Sequence, residues 1–211
     1  RQQIRQLQLL GRSGRMAAAA SSSDALGLLQ TGSAAFAAFV SMAMCDAASA
    51  EDSAGLAAAA TCRPVLGLMH AGGVLADGVL NSQSAGSLRA VFAPKVHAAA
   101  QLGTANSCQP AAFQLLFSSV AALLGSPGQA NYSAANAALD AAAQRSQQAG
   151  ALVTSVQWGA WAGAGMAAGD ASTAARVERT GMALLLPHQG MAALQGMLVP
   201  REEGPACPAP P

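Results

Sequence analysis

Aromatic side chains are scarce in this sequence: Phe, Trp and Tyr together make up 4% of its 211 residues. Its core must therefore come from Ala, Leu, Val and Met, a mixture that favours helices lying close to a sheet. Charge is scarce too, at 10% of residues with a formal net charge of +1. A balance so near zero gives no electrostatic case for nucleic acid or for an anionic membrane, and neither is expected as a partner. No apolar run reaches the ~18 residues needed to span a bilayer. The basic start, RQQIRQLQLLGRSGR, has an apolar part too short and too interrupted for a signal peptide. Cys45, Cys62, Cys108 and Cys207 are far apart and form no CxxC pair. They read as structural thiols, with no metal site or disulfide framework expected. A reducing compartment, cytoplasmic or plastid-like, is the expected location.

The length suits one domain with a real core. Short apolar runs at 4–10, 37–45, 64–70, 111–117 and 151–157 read as strands. Helical stretches are expected at 16–32, at 49–60 with Ser49 or Ser53 as cap, and at 84–102, interrupted by Pro94. Two more are expected at 128–150, stopped by Gly150, and at 187–198. Residues 163–186 are weakly patterned, as in a mobile lid. The tail GPACPAPP is Pro-rich and is expected to be disordered, leaving 1–199 as the folded domain and 200–211 as tail. Strands alternating with helices predict an α/β fold with a parallel sheet covered on both faces. Ligands bind beyond the carboxyl ends of such strands. Arg12, Asp46, Gly72-Gly73 and Ser118-Ser119 all fall at those ends.

The sequence has a single tyrosine, Tyr132, and a single lysine, Lys95. Tyr132 and Asn136 are four apart on an expected helix and share a face. Ser119 ends the preceding strand, and the loop GSPGQAN leads back towards it. A free phenol titrates near ~10 and is a weak acid or base at neutral pH. A nearby ammonium lowers that value, and Lys95 is the candidate to supply it. Ser119 would hold a carbonyl oxygen while Tyr132 protonates it. Against this stands the ordinary reading, a packed tyrosine with a wet hydroxyl and a solvated surface lysine, and both remain open on pattern alone.

The segment LFSSVAALLGSPGQANYSAANAALD, with VLGLMHAGGVLADGVL and FAPKV before it and SVQWGAWAGAGMA after it, closely resembles the ketoreductase domain of modular polyketide synthases, a member of the short-chain dehydrogenase/reductase superfamily. The likeness runs from about Leu7 to Leu198. It implies a Rossmann-like doubly wound parallel sheet and reduction of a 3-ketoacyl thioester by NADPH, with the substrate tethered to an acyl carrier protein among neighbouring synthase domains. Carried over position by position, Ser119 is the carbonyl-binding serine, Tyr132 the proton donor and Asn136 the asparagine one turn later. Lys95, in APKV, is the lysine this family places before the serine; acting through Asn136 and water, it positions and recharges the proton relay. Arg12 matches the arginine that meets the 2′-phosphate of NADPH, with Ser13 beside it, although a solvated basic turn would look the same. Asp46 matches an aspartate at the adenine end, or else it caps its own turn. Ala71, Gly72 and Gly73 match backbone passing close to the ribose and nicotinamide. Asp77 matches the last aspartate of an LDD signature whose first aspartate is here Ala76. Together with Leu124, Pro127 and Asn131 it implies a D-configured hydroxyl. Trp161 and Met166, and with them Trp158, are expected to border the substrate groove, though Trp158 would equally fill the core. His70 and His97 read as structural, and His188 has no clear role.

Two departures from the family pattern stand out. The resemblance implies a first strand and a glycine-rich turn ahead of LLGRSGR, and no GxGxxG occurs in the sequence. A further strand is implied after the last helix. The expected fold therefore lacks its first strand and glycine-rich turn, and its sheet has two unpaired edges. Two functions follow: an NADPH-dependent 3-ketoacyl reductase, or a non-catalytic ketoreductase-like module unable to hold NADPH by itself. A free-standing reductase acting on an unrelated carbonyl is disfavoured by the Lys95/Asn136 arrangement.

Overall fold

Each of the five expected apolar runs becomes a strand: β1 (Gln6–Gly11), β2 (Phe39–Met44), β3 (Gly67–His70), β4 (Phe113–Ser119) and β5 (Val153–Trp158). The computed structural model describes residues 6–12, 39–62, 65–105, 111–163, 177, 179 and 181–198. Every strand pairing is parallel, β1 with β2 and then β3-β4-β5 in that order. The parallel sheet is thus present in two pieces, and among the described residues β1 pairs only with β2 and β3 only with β4. In β4, the consecutive residues Gln114, Leu115 and Leu116 are all buried. That is the pattern of a strand covered on both faces. The expected helix at 16–32, most of 163–186 and the tail lie outside the described residues.

Helix α1 (Ala50–Cys62) starts at Ser49, whose Oγ accepts from Asp52 N at 3.3 Å. Ser53 lies buried inside that helix and donates to Ala47 O, so Ser49 alone is the cap. Helix α2 (Ala85–Phe92) opens with a reciprocal Ser84–Ser87 capping box. It runs through a π-turn, Ala93–His97, into α3 (Ala98–Ala105). Pro94 was expected to interrupt this helix. The structure keeps it continuous by widening one turn, with Ala98 N donating five residues back to Ala93 O. A proline has no N–H to offer and crowds the preceding turn, and such wide turns often sit at functional sites. Next come α4 (Ala121–Leu124) and α5 (Ala130–Gln148), which ends just before Gly150 at φ 86°. The last helix is α6 (Pro187–Leu198).

The chain divides into two compact units, Arg1–Trp158 and Gly159–Pro211. In the first, Leu116, Leu139, Ala143, Val153 and Ala99 pack together under the sheet. A second cluster joins Val91, Ala121, Tyr132 and Ala135 to Leu75, Ala76, Phe92 and Val96. Leu139 is 0% exposed and packs with Ala99, Leu116, Ala143 and Val153, so removing its side chain leaves a cavity. Leu139→Ala is therefore expected to cost about 2–5 kcal/mol, read as a lower urea midpoint at unchanged m-value. In the second unit, Trp161 bridges to Leu185 and its ring lies against Gly190, where any Cβ would collide with it.

Candidate active site

The site is assembled where β3 parts from β4. Pairing between the two ends at His70↔Leu116, one residue short of Phe117. The carbonyl of Phe117 accepts instead from Lys95 Nζ, at 2.7 Å. Lys95 is 3% exposed. It sits in the π-turn, and the ring of His70 fixes that turn from the end of β3, Nε2 donating to Lys95 O at 3.0 Å. His70 is thus structural, as the sequence suggested, and burial lowers its pKa, favouring the neutral ring.

Gly72 and Gly73 follow directly. A Cβ at Gly72 would come within 2.9 Å of both the His70 ring and the Pro94 carbonyl, and one at Gly73 within 3.1 Å of Lys95 Cε. These glycines are needed first by the chain's own packing around Lys95, a reason the sequence does not reveal.

From the other side comes α5. Its third residue, Tyr132, is 8% exposed, and the ring centroid is 5.6 Å from Lys95 Nζ. One turn later Asn136 is fully buried; its Nδ2 donates to Tyr132 O at 2.8 Å, while its Oδ1 accepts no hydrogen bond among the described residues. Ser119 ends β4, and its Oγ accepts from Ala121 N at 3.2 Å, an arrangement that leaves the hydroxyl proton directed elsewhere. Ser118 faces the helix and donates to Asn136 O at 3.3 Å, tying strand to helix behind the site.

The electrostatics correct one expectation. Tyr132 is not made more acidic by Lys95: its pKa is raised, chiefly by burial, with Ser119 and Asn136 nearby pulling the other way and Asp77 adding to the rise. A buried phenolate loses more by desolvation than its neighbours return. Lys95 shows the same effect with opposite sign, as burial lowers it to about 8 against a raising contribution from Asp140. Tyr132 thus stays a protonated donor at neutral pH, and Lys95 titrates close to it.

Two loops close the remaining side. Gln129, 6% exposed, donates through Nε2 to both carboxylate oxygens of Asp77 at 3.0 Å. Asn131 donates to Ala76 O at 2.7 Å, and Gly78 N to Gly128 O at 2.8 Å. Asp77 and Asn131 are therefore joined to the site. Gln129 was missed in the sequence, although its place one residue before the helix that carries Tyr132 was a usable signal. Leu124, the last residue of α4, and Pro127, on the α4–α5 connection, are exposed. Trp158 packs against Phe117 at 5.5 Å between ring centroids and fills core. Arg12 is exposed in the turn leaving β1. Asp46, beyond β2, accepts from Ala48 N at 3.0 Å, so its turn-capping role is realised. His97 and His188 are exposed. Trp161 belongs to the second unit, and Ser13 and Met166 lie outside the described residues.

Comparison with known proteins shows the family of the chain. The family profile of the KR domain matches residues 1–163. Phthioceranic/hydroxyphthioceranic acid synthase of Mycobacterium bovis is 41% identical over 144 residues, which is 67% of this chain and 7% of that protein. Polyketide synthase GfsB of Streptomyces halstedii is 38% identical over 198 residues, 92% of this chain and 3% of that protein. Among solved structures, an A1-type ketoreductase matches with TM-score 0.79 and 33% identity, covering 91% of this chain and 39% of that one. The first ketoreductase of the tylosin polyketide synthase matches with TM-score 0.75 and 34% identity, covering 90% and 40%. The chain thus spans a small part of the curated relatives and about two fifths of those structures.

Proposed function

Because this chain belongs to the KR domain family, the ketoreductases of polyketide synthases, we propose that it reduces the 3-keto group of an acyl thioester to a 3-hydroxyl. The hydride donor in this reading is NADPH, and an acyl carrier protein within a multidomain synthase presents the substrate. One observation carries the reading: Ser119, Tyr132, Asn136 and Lys95, brought from a strand end, a helix and a π-turn, converge at the carboxyl end of β4.

The residues fit the cofactor. The exposed guanidinium of Arg12 suits a 2′-phosphate, for which a planar fork of donors is apt. The Ala71–Gly73 backbone, held against Lys95 and with Ala71 and Gly72 exposed, suits contact with the ribose and nicotinamide. NADPH, when bound, supplies the hydride to C3. The remaining work belongs to the chain. Ser119 orients the carbonyl oxygen, Tyr132 gives its phenolic proton to the developing alkoxide, and Lys95 restores that proton through water that the Asn136 Oδ1 would hold as acceptor. Asp77, Gln129 and Asn131 then shape the approach of the substrate, and with Leu124 and Pro127 favour the D-configured product.

The test combines two measurements on the same folded protein: NADPH binding by fluorescence, and loss of nicotinamide absorbance with a 3-ketoacyl thioester surrogate or a carrier-bound substrate. Saturable binding with thioester-dependent oxidation is expected. A folded protein that binds NADPH yet oxidises none of it with either substrate would overturn the reductase reading, and a folded protein that binds no NADPH would favour the non-catalytic alternative.

A further inference from the structure

One acidic side chain beside the site has no part in the reduction described so far. Asp140 is on α5, one turn beyond Asn136 and two beyond Tyr132, so the three share a helix face. Its carboxylate is held at both oxygens: Ser155 Oγ donates to Oδ1 at 2.6 Å and Gln157 Nε2 to Oδ2 at 2.8 Å. Ser155 and Gln157 flank Val156, and Val156 is the register partner of Phe117, the residue whose carbonyl holds Lys95. A carboxylate clamped on β5 and an ammonium clamped on β4 thus stand at neighbouring registers of one sheet. The helix that carries Asp140 also packs on the π-turn that carries Lys95.

We propose that Asp140 is a positioning residue: clamped by Ser155 and Gln157, it is the counter-charge that keeps the buried Lys95 an ammonium. The other groups facing Lys95 do not supply that charge. From β3, His70 is buried and its pKa is lowered. From α5, Tyr132 holds its proton to high pH. On the helix of Lys95 itself, Arg89 and His97 are exposed and basic. Asp77 lies across the site, bonded to Gln129. An unpaired ammonium in so dry a place would release its proton at lower pH. Asp140 opposes that, and its raising effect on Lys95 is consistent with the geometry. The importance of this charge for turnover rests on the reductase reading; the charge itself does not.

The single lysine makes the test direct. With lysine labelled at Cε, the chain gives one side-chain resonance, and its shift against pH reports Lys95 alone. The parent midpoint is expected at about 8. Asp140→Asn should lower it by about one unit, and Asp140→Glu should restore most of the loss. Ser155→Ala, which keeps the carboxylate but removes one of its two anchors, should lower it by less. An unchanged midpoint in folded Asp140→Asn overturns the proposal. Should that variant not fold, an unchanged midpoint in Ser155→Ala does the same. No readout requires turnover: an inactive chain with the expected shifts would sink the reductase reading and leave this one standing.

Discussion

Replacing Tyr132 with phenylalanine is expected to lower kcat for reduction of a 3-ketoacyl thioester by about 10²–10⁴-fold, the usual worth of a positioned general acid. The Kd for NADPH should not move. The substitution removes one hydroxyl and leaves the ring, which packs with Val91, Ala121 and Ala135, so the fold around Lys95 and Asn136 is retained. The phenol's pKa is raised by burial, so its proton is present at neutral pH and parting with it demands a strongly basic acceptor. The alkoxide formed by hydride arrival is such an acceptor, and the ketone before it is not. Proton transfer is therefore confined to the transition state, where it raises kcat instead of merely tightening substrate binding. A loss of NADPH affinity as large as the loss in kcat would reassign Tyr132 to cofactor binding.

The second large effect concerns Lys95. Lys95→Met should also lower kcat, by about 10²-fold or more, because under the proposed mechanism the proton source behind Tyr132 is gone. Its effect on stability has a pH signature. Burial lowers the ammonium from 10.5 to about 8, a penalty of about 3 kcal/mol on the folded state at neutral pH. Below about 8 both folded and unfolded chains hold the proton, and the penalty is fully present. Between about 8 and 10.5 the unfolded chain holds it and the folded chain does not, so stability rises with pH. The methionine variant loses this rise. At neutral pH it escapes the desolvation cost but leaves the Phe117 carbonyl without its donor, which costs about 1–3 kcal/mol, so the two changes nearly cancel. Urea unfolding at about pH 7.5 and about pH 9.5 separates the cases. The parent should gain stability between them and Lys95→Met should not. Tyr132 does not confuse the comparison, because its raised pKa acts only above the unfolded value of 10.0 and with the opposite sign. Equal slopes in the two proteins would show that Lys95 does not titrate as described.

Much of this site was legible from residue spacing. The apolar runs were strands of a parallel sheet, with β4 buried on both faces, and strand ends could be read from where the apolar run stops. Tyr132 and Asn136 share a face because helical geometry requires it. Lys95 was a candidate from residue chemistry and was given its role by the family resemblance; the structure places its Nζ 5.6 Å from the Tyr132 ring, where the departure of β3 after His70 frees the Phe117 carbonyl. Quantities that depend on three-dimensional burial were not legible. Placing an ammonium near a phenol suggested a lowered tyrosine pKa, whereas desolvation reverses the sign. Gly72 and Gly73 suggested a ligand approaching the backbone, whereas the first neighbours are His70, Pro94 and Lys95. The hydrogen bonds of Gln129 and Asp140 were not legible because their partners, Asp77, Ser155 and Gln157, lie 52, 15 and 17 residues away. The break predicted at Pro94 became a wide turn, since packing against β3 and α5 repays one irregular turn.

The central claim is that this constellation delivers a proton to an alkoxide made by hydride transfer to C3. The most direct measurement supplies the folded protein with NADPH deuterated at the transferable position and a 3-ketoacyl thioester, then analyses the product by mass spectrometry and chiral chromatography. The account predicts a single-enantiomer 3-hydroxyacyl thioester carrying one deuterium at C3, formed by the parent protein and not by Tyr132→Phe above its residual rate. A folded, NADPH-binding parent that yields no deuterated alcohol, or a Tyr132→Phe variant that yields it at the parental rate, would contradict the account.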